Sequence, residues 1–245
     1  MKINISHIDR LQNEKAIKSL AFALLIKDTY VSSSVKNYNP HSLQKKLAGT
    51  GFKFHHITIK KYTDTLISFD LAIIKNNCLI VKKLHSDEQP KIRIKKGHAK
   101  NFKDYIHFIR GAILKRKIWQ AEYVYNKKSL SKELLANPRS PGEYRTGKRL
   151  RKNYGELRID ETSFSYKQSI RSLANEFNCS IGEIYTTIKY LISKGWLTVQ
   201  RFFRKVGVFL GDLDYLPEKS FVKDGFLFIV DCNSYSITNN NDSKK

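Results

Sequence analysis

The stretch SIRSLANEFNCSIGEIYTTIKYLISKGWLTVQ, residues 169–200, decides how the whole chain is read. Ile170, Leu173, Ala174 and Phe177 recur at helical spacing and predict a first short helix with one buried face. Asn178-Cys179 leaves room only for a tight turn. Ser180 followed by Glu183 is a capping-box pattern, in which hydroxyl and carboxylate each satisfy a backbone N–H of the other residue, so a second helix is expected from Ile181. Ile184, Ile188 and Leu191 form its buried stripe. Lys194-Gly195 then ends it with a cation and a residue free to turn left-handed. Trp196 to Phe203 and Val206 to Leu210 are β-prone runs around Arg204-Lys205, which predicts a basic hairpin.

This order resembles the winged helix-turn-helix superfamily, in particular bacterial and phage regulators and replication-initiation proteins with S-I-x-x-L-A ahead of S-x-x-x-I-Y-x-x-I-x-x-L. The resemblance covers Tyr166 to Leu210. It implies a recognition helix that buries one face on its own domain and offers the opposite face to the major groove of DNA. With Ile184, Ile188 and Leu191 inward, the outward positions are Gly182, Glu183, Tyr185, Thr186, Lys189 and Tyr190. Gly182 would let the DNA backbone come close, Tyr185 and Thr186 would meet base edges or thymine methyls, and Lys189 a phosphate. Arg201, Arg204 and Lys205 would hold the flanking backbone or minor groove. Glu183 is unfavourable near a phosphate, and its capping role gives it a structural reason.

Shifted by about 125 residues, a degenerate copy of the motif is visible in the first half. Leu47-Ala48 falls near Leu173-Ala174 with one residue of slippage, and Ile59, Leu66 and Leu71 fall on Ile184, Leu191 and Trp196. Thr63 stands in for the buried Ile188 and Asp70 for the glycine stop. Lys60 and Lys61 take the places of Tyr185 and Thr186, a substitution that favours phosphate contact over base reading. Around this copy, helices are expected over Glu14–Tyr30, His41–Ala48 and Ile57–Ser68, with Val31–Asn39 a loop and Leu71–Lys83 two strands about Lys75-Asn76-Asn77.

Between the copies the chain is strongly basic. Lys82 to Lys117 holds twelve Lys or Arg against Asp87, Glu88 and Asp104, while Phe102, Ile106, Ile109 and Ile113 predict one long helix over Asn101–Asn126. Asn137 to Gly155, with two prolines, three glycines and the cluster Lys148-Arg149-Leu150-Arg151-Lys152, reads as an exposed basic loop or arm, or simply a solvated linker. Over the whole chain 45 Lys and Arg against 22 Asp and Glu leave +23, a self-repulsion that a polyanion would relieve. No stretch is apolar for long enough to predict a membrane span, and Met1 to Lys18 lacks the apolar core of a signal peptide. Cys78, Cys179 and Cys232 stand far apart and fit a reducing compartment. An intracellular, bacterial or phage-infected cytoplasm is therefore expected.

Catalytic signals are weaker. His107 and Arg110 match the His-x-x-Arg of tyrosine recombinases with Tyr144 downstream, but no upstream Arg box accompanies them, and His107 reads as a helix-surface residue. His55-His56 lacks further ligands at metal spacing. Asp212, Asp214 and Asp231 lie in or near turn-like sequence without a base or further ligand, and no phosphate-binding glycine loop is present. Ser220 to Tyr235 predicts a hairpin about Asp224-Gly225, and Ile237 to Lys245 a polar, disordered tail.

The expected fold is α+β and mainly helical, with tandem winged helix-turn-helix domains and small β-hairpin wings. The first domain spans residues 1–90, a basic connector 91–158, the second domain 159–236 and the tail 237–245. The expected function is non-enzymatic double-stranded DNA binding, by a transcription regulator or replication-associated factor, with no cofactor and no metal. RNA as the polyanion and a homodimer stay open. The alternative is a structural or packaging protein, of a phage for instance, that binds nucleic acid without sequence preference. In the favoured reading Lys148, Arg149, Arg151 and Lys152, with the basic stretch from Lys82 to Lys117 and both wings, neutralise phosphates.

Overall fold

A computed structural model describes residues 2–4, 14–30, 32–49, 52–84, 91–93, 99, 101–158, 164–208, 220–224 and 226–237. The described chain is α+β and mainly helical, with small antiparallel sheets. Its elements run β1 (Lys2–Asn4), α1 (Glu14–Thr29), β2 (Ser34–Val35), α2 (Pro40–Gly49), α3 (His56–Ser68), β3 (Ala72–Lys75), β4 (Cys78–Val81), β5 (Lys91–Arg93) and α4 (Phe102–Ala136). Then follow α5 (Pro141–Tyr154), β6 (Tyr166–Gln168), α6 (Ile170–Glu176), α7 (Ile181–Ser193), β7 (Leu197–Val208), β8 (Ser220–Lys223) and β9 (Phe226–Ile237). No described helix is long and apolar enough to cross a membrane.

The chain forms two compact units, one of Met1–Ile113 with Ala174–Tyr190 and one of Leu114–Leu173 with Leu191–Lys245. In the first, α1 is buried almost all round, Leu20 to Leu25 being fully enclosed, and it packs on α3, which also meets α2. Phe22, Phe54, Tyr62 and Phe102 interlock at ring-centroid separations of 4.8–6.4 Å and tie α1, α3 and the start of α4 together. In the second unit, α4 and α5 meet where Ser131 Oγ donates to the Gly147 carbonyl at 2.8 Å.

Two segments repeat one order of elements. Strand, helix, helix, strand, strand runs through β2-α2-α3-β3-β4 and again through β6-α6-α7-β7-β9, where the extra strand β8 intervenes between β7 and β9, and in both sheets the last strand is central: β2-β4-β3 and β6-β9-β7. The helix ends repeat too. The Asp70 and Leu71 amides donate to Ile67 and Leu66 carbonyls at 2.9 and 2.8 Å, while Gly195 and Trp196 donate to Ile192 and Leu191 at 2.9 and 3.0 Å. Both are Schellman-type stops that need a left-handed residue, met by Asp70 at φ 58° and Gly195 at φ 66°. Thr63 tolerates its buried position because its hydroxyl donates to the Ile59 carbonyl and accepts from Tyr38, both at 2.9 Å.

These stops make a paired prediction. Gly195→Ala is expected to cost about 1 kcal/mol, because a Cβ is penalised in the left-handed region. Asp70→Gly gains up to about 1 kcal/mol there but loses the exposed ion pair with Lys82, so it is expected to be near neutral. Urea unfolding of both variants checks the contrast.

Several expectations need correction. Asn137–Gly155 is not a loop but contains α5. Ser140 caps it by accepting from the Glu143 amide at 3.2 Å, with Pro141 in the first turn, where its missing N–H costs nothing. Val31–Asn39 contains β2, which pairs with β4. The long helix runs to Ala136, past the expected Asn126. Arg204-Lys205 is not a turn, since β7 continues to Val208 and Lys205 lies opposite Phe228, with irregularities at Phe202/Phe203 and Lys205/Gly207. Asn76 and Asn77, at φ 49° and 56°, close the β3–β4 hairpin as a type I′ turn does, and Asp224 at φ 52° follows β8, which extends the second sheet. Gly225, Asp212, Asp214 and residues 238–245 lie outside the described residues, as does the side chain of Asp231.

Candidate nucleic-acid interface

Helix α7 begins as its sequence dictates. The Ser180 hydroxyl accepts from the Glu183 amide at 3.2 Å, and Glu183 Oε2 accepts from the Ser180 amide at 3.1 Å, which completes the capping box. Ile184, Ile188 and Leu191 are buried, and a second side of the helix is occupied as well. Within the first unit, Glu183, Thr187 and Tyr190 meet His107 and Arg110 of α4. Glu183 and Tyr190 therefore do not point outward as expected, and His107 is not a surface residue but 8% exposed.

The chemistry of this seam is specific. The Thr187 hydroxyl donates its single proton to the Glu183 carbonyl at 2.9 Å, so at 2.9 Å from His107 Nδ1 it acts as acceptor, and the imidazole carries its proton on Nδ1. Arg110 is 2% exposed and sits 3.5 Å from Glu183 Oε1, an ion-pair distance without a hydrogen bond. Among the described residues its Nε and Nη2 have no hydrogen-bond acceptor. Burial opposes ionisation of Glu183, but the Ser180 amide and the Arg110 charge outweigh it and hold the carboxyl below its ordinary range. Burial and the charge of Asp104 push Tyr190 up to about 12.

Burial, reinforced by Arg110, holds His107 below the ordinary histidine value of 6.5. The folded state thus binds fewer protons there than the unfolded chain. That stabilisation is present above pH 6.5 and is lost as pH falls through the depressed folded value. His107→Gln, which keeps a donor for Thr187, is expected to flatten the fall in stability below pH 6.5, measured by urea unfolding across a pH series.

The remaining side of α7 is open. Gly182, Tyr185, Thr186 and Lys189 share it, all exposed, with Tyr185 at 47%. A Cβ added at Gly182 would meet nothing within 4 Å. The Thr186 hydroxyl donates to the Gly182 carbonyl at 2.8 Å, which fixes its rotamer, while its oxygen lone pairs stay available as acceptors. Lys189 Nζ lies 4.6 Å from the centre of the Tyr185 ring, a cation–π pair that preorganises both side chains. This face can accept from base-edge donors, contact methyl groups and neutralise a phosphate.

The other expected contacts are placed element by element. Lys60 and Lys61 are exposed on α3, at the positions corresponding to Tyr185 and Thr186. Arg201 and Lys205 are exposed on β7, and Arg204 lies on the same strand with its side chain outside the described set. Lys148, Arg149, Arg151 and Lys152 are exposed on α5, where Lys148 Nζ lies 4.8 Å from the Tyr144 ring centre. His55 caps α3 by accepting from the Ile57 amide, and His56 stacks on His41 and meets the His55 ring at a tilt. Among the described residues no group of His, Cys, Asp and Glu is arranged to hold a metal. Sequence reasoning missed the buried seam of His107 and Arg110 with Glu183 and Thr187, although the i, i+3 spacing on one helix and i, i+4 on the other would place each pair on one face. No protein-family model, curated protein or solved structure matches the chain.

Proposed function

We propose that the chain binds double-stranded DNA through a winged helix-turn-helix with α7 in the major groove, and serves as a transcription regulator or replication-associated factor without catalysis. The observation that carries this reading is the face of α7: two sides are occupied, and the third offers Gly182, Tyr185, Thr186 and Lys189 together. Support comes from the element order, in which a helix pair leads into β7, which pairs antiparallel with a central β9, as in a winged helix, with β8 added between the two in sequence. The same order in residues 34–81 supports a tandem protein whose first copy contributes Lys60 and Lys61 to phosphates. A charge of +23 supplies the sequence-independent attraction.

The test is fluorescence-anisotropy binding to a library-selected duplex and a scrambled one across a salt series. Tyr185→Ala combined with Thr186→Ala is expected to weaken binding to the selected duplex by about tenfold or more, since each good base contact discriminates by about 1–3 kcal/mol. Affinity for the scrambled duplex should hardly change, because phosphate contacts supply it. Equal affinity for both duplexes, unmoved by the double substitution, would sink base reading by α7 and favour the packaging alternative.

A further inference from the structure

The second unit carries a surface that duplex binding by α7 does not use. Between Leu114 and Tyr154, the part of α4 in this unit, α5 and the turn between them hold twelve Lys and Arg against three Glu. Large aromatic rings lie bare on it. Trp119 is 58% exposed and Tyr123 44%, their centres 6.2 Å apart, and Tyr154 meets Tyr123 edge-on at 6.2 Å. Lys127 Nζ sits 5.3 Å from the Tyr123 ring centre.

We propose that this α4–α5 surface binds single-stranded nucleic acid, stacking bases on Trp119 and Tyr123 and seating phosphate at Lys127. Exposed rings interleaved with cations are what a single strand uses, because its bases have free π-faces that a duplex keeps stacked inside. From Trp119 to Lys127 the helix rises about 12 Å, enough for two or three nucleotides. The excess of cations argues against a second copy of this chain as occupant, since two such faces would repel.

The chain has two tryptophans, so in a Trp196→Phe background Trp119 alone reports. Titration of the full chain with oligothymidylate and oligouridylate of about 20 nucleotides is expected to quench that fluorescence, the difference between them telling DNA from RNA. Trp119→Ala with Tyr123→Ala, read by anisotropy, is expected to weaken single-strand binding about tenfold or more, with Trp119→Tyr retaining most of it. Duplex affinity should be unchanged by these variants, while the Tyr185 and Thr186 substitutions should do the reverse, so failure of this proposal and of duplex recognition are separable. Single-strand affinity that ignores both aromatic substitutions overturns the proposal. So does concentration-dependent self-association in sedimentation that Trp119→Ala abolishes, which would assign the surface to a second copy.

Discussion

Glu183→Ala is expected to lower the free energy of unfolding by about 3 kcal/mol, at the mild end of the cost of stranding a buried charge. Two effects combine. One carboxylate oxygen completes the cap of α7, a contribution of about 1 kcal/mol for such motifs. The other is the anion facing Arg110, whose guanidinium is 2% exposed and already short of acceptors at Nε and Nη2. Glu183 itself is 42% exposed, so water can enter the vacated place, which holds the loss below the upper range for a buried pair. Glu183→Gln should fall between, since an amide at this position still caps but leaves the guanidinium unneutralised.

Arg110→Met carries the opposite expectation. It removes the uncompensated charge and keeps most of the side-chain volume, so stability should be unchanged or raised by about 1 kcal/mol or more. Urea unfolding at constant m-value compares the three variants. If Arg110→Met costs more than Glu183→Ala, the guanidinium is better satisfied than its geometry indicates, and the seam is a source of stability in its own right. Such a seam joins α7 to α4 by directional polar contacts, and these fix the rotation of α7 about its axis more tightly than interchangeable apolar contacts would. That rotation decides which side chains reach solvent.

Local signals carried most of what sequence reading obtained. The Ser180–Glu183 cap, the Gly195 stop and the buried stripe of α7 follow from neighbouring residues alone, and each is present in the structure. The stop at Asp70 was not legible in the same way: the glycine is missing there, and the structure shows Asp70 itself in the left-handed conformation, which a short polar side chain tolerates. The strands β2 and β6 were not legible, because pieces of two and three residues owe their existence to partners far along the chain, Leu79 and Ile80 for the first and Asn233 to Tyr235 for the second. Helix α5 was a different failure. Pro141, Gly142 and Gly147 read as breakers, yet Ser140-Pro141-Gly142-Glu143 is itself a helix-start signature, and composition was weighed where position mattered. The inward turn of Glu183 and Tyr190 depends on a helix some eighty residues away in sequence, as the His107–Thr187 pair records, and no local pattern announces that.

Gly147 is the residue on which the α4–α5 hairpin closes, and Gly147→Val is expected to destabilise the protein by about 2–3 kcal/mol. A Cβ there would lie 3.0 Å from Leu135 Cγ and 3.2 Å from Leu134 Cβ, and the Gly147 carbonyl is the acceptor for the buried Ser131 hydroxyl. Two further methyl groups have no room, so the helices must part and Ser131 loses its partner. Gly147→Ala separates packing from backbone preference. Alanine gains about 1 kcal/mol of helix propensity over glycine, which offsets part of the cost of its close contacts with Leu135 and Leu134 Cβ, so Gly147→Ala should cost less than Gly147→Val. Thermal and urea unfolding of the pair measures the first effect, and single-strand binding by Gly147→Val the second. Parting α4 from α5 would separate Tyr123 from Tyr154, so that affinity should fall even at temperatures where the variant stays folded, while duplex binding by α7 persists. A Gly147→Val protein as stable as the parent would mean that α5 is free to swing away from α4, and the ring-and-cation track would then be a transient arrangement instead of a preorganised one.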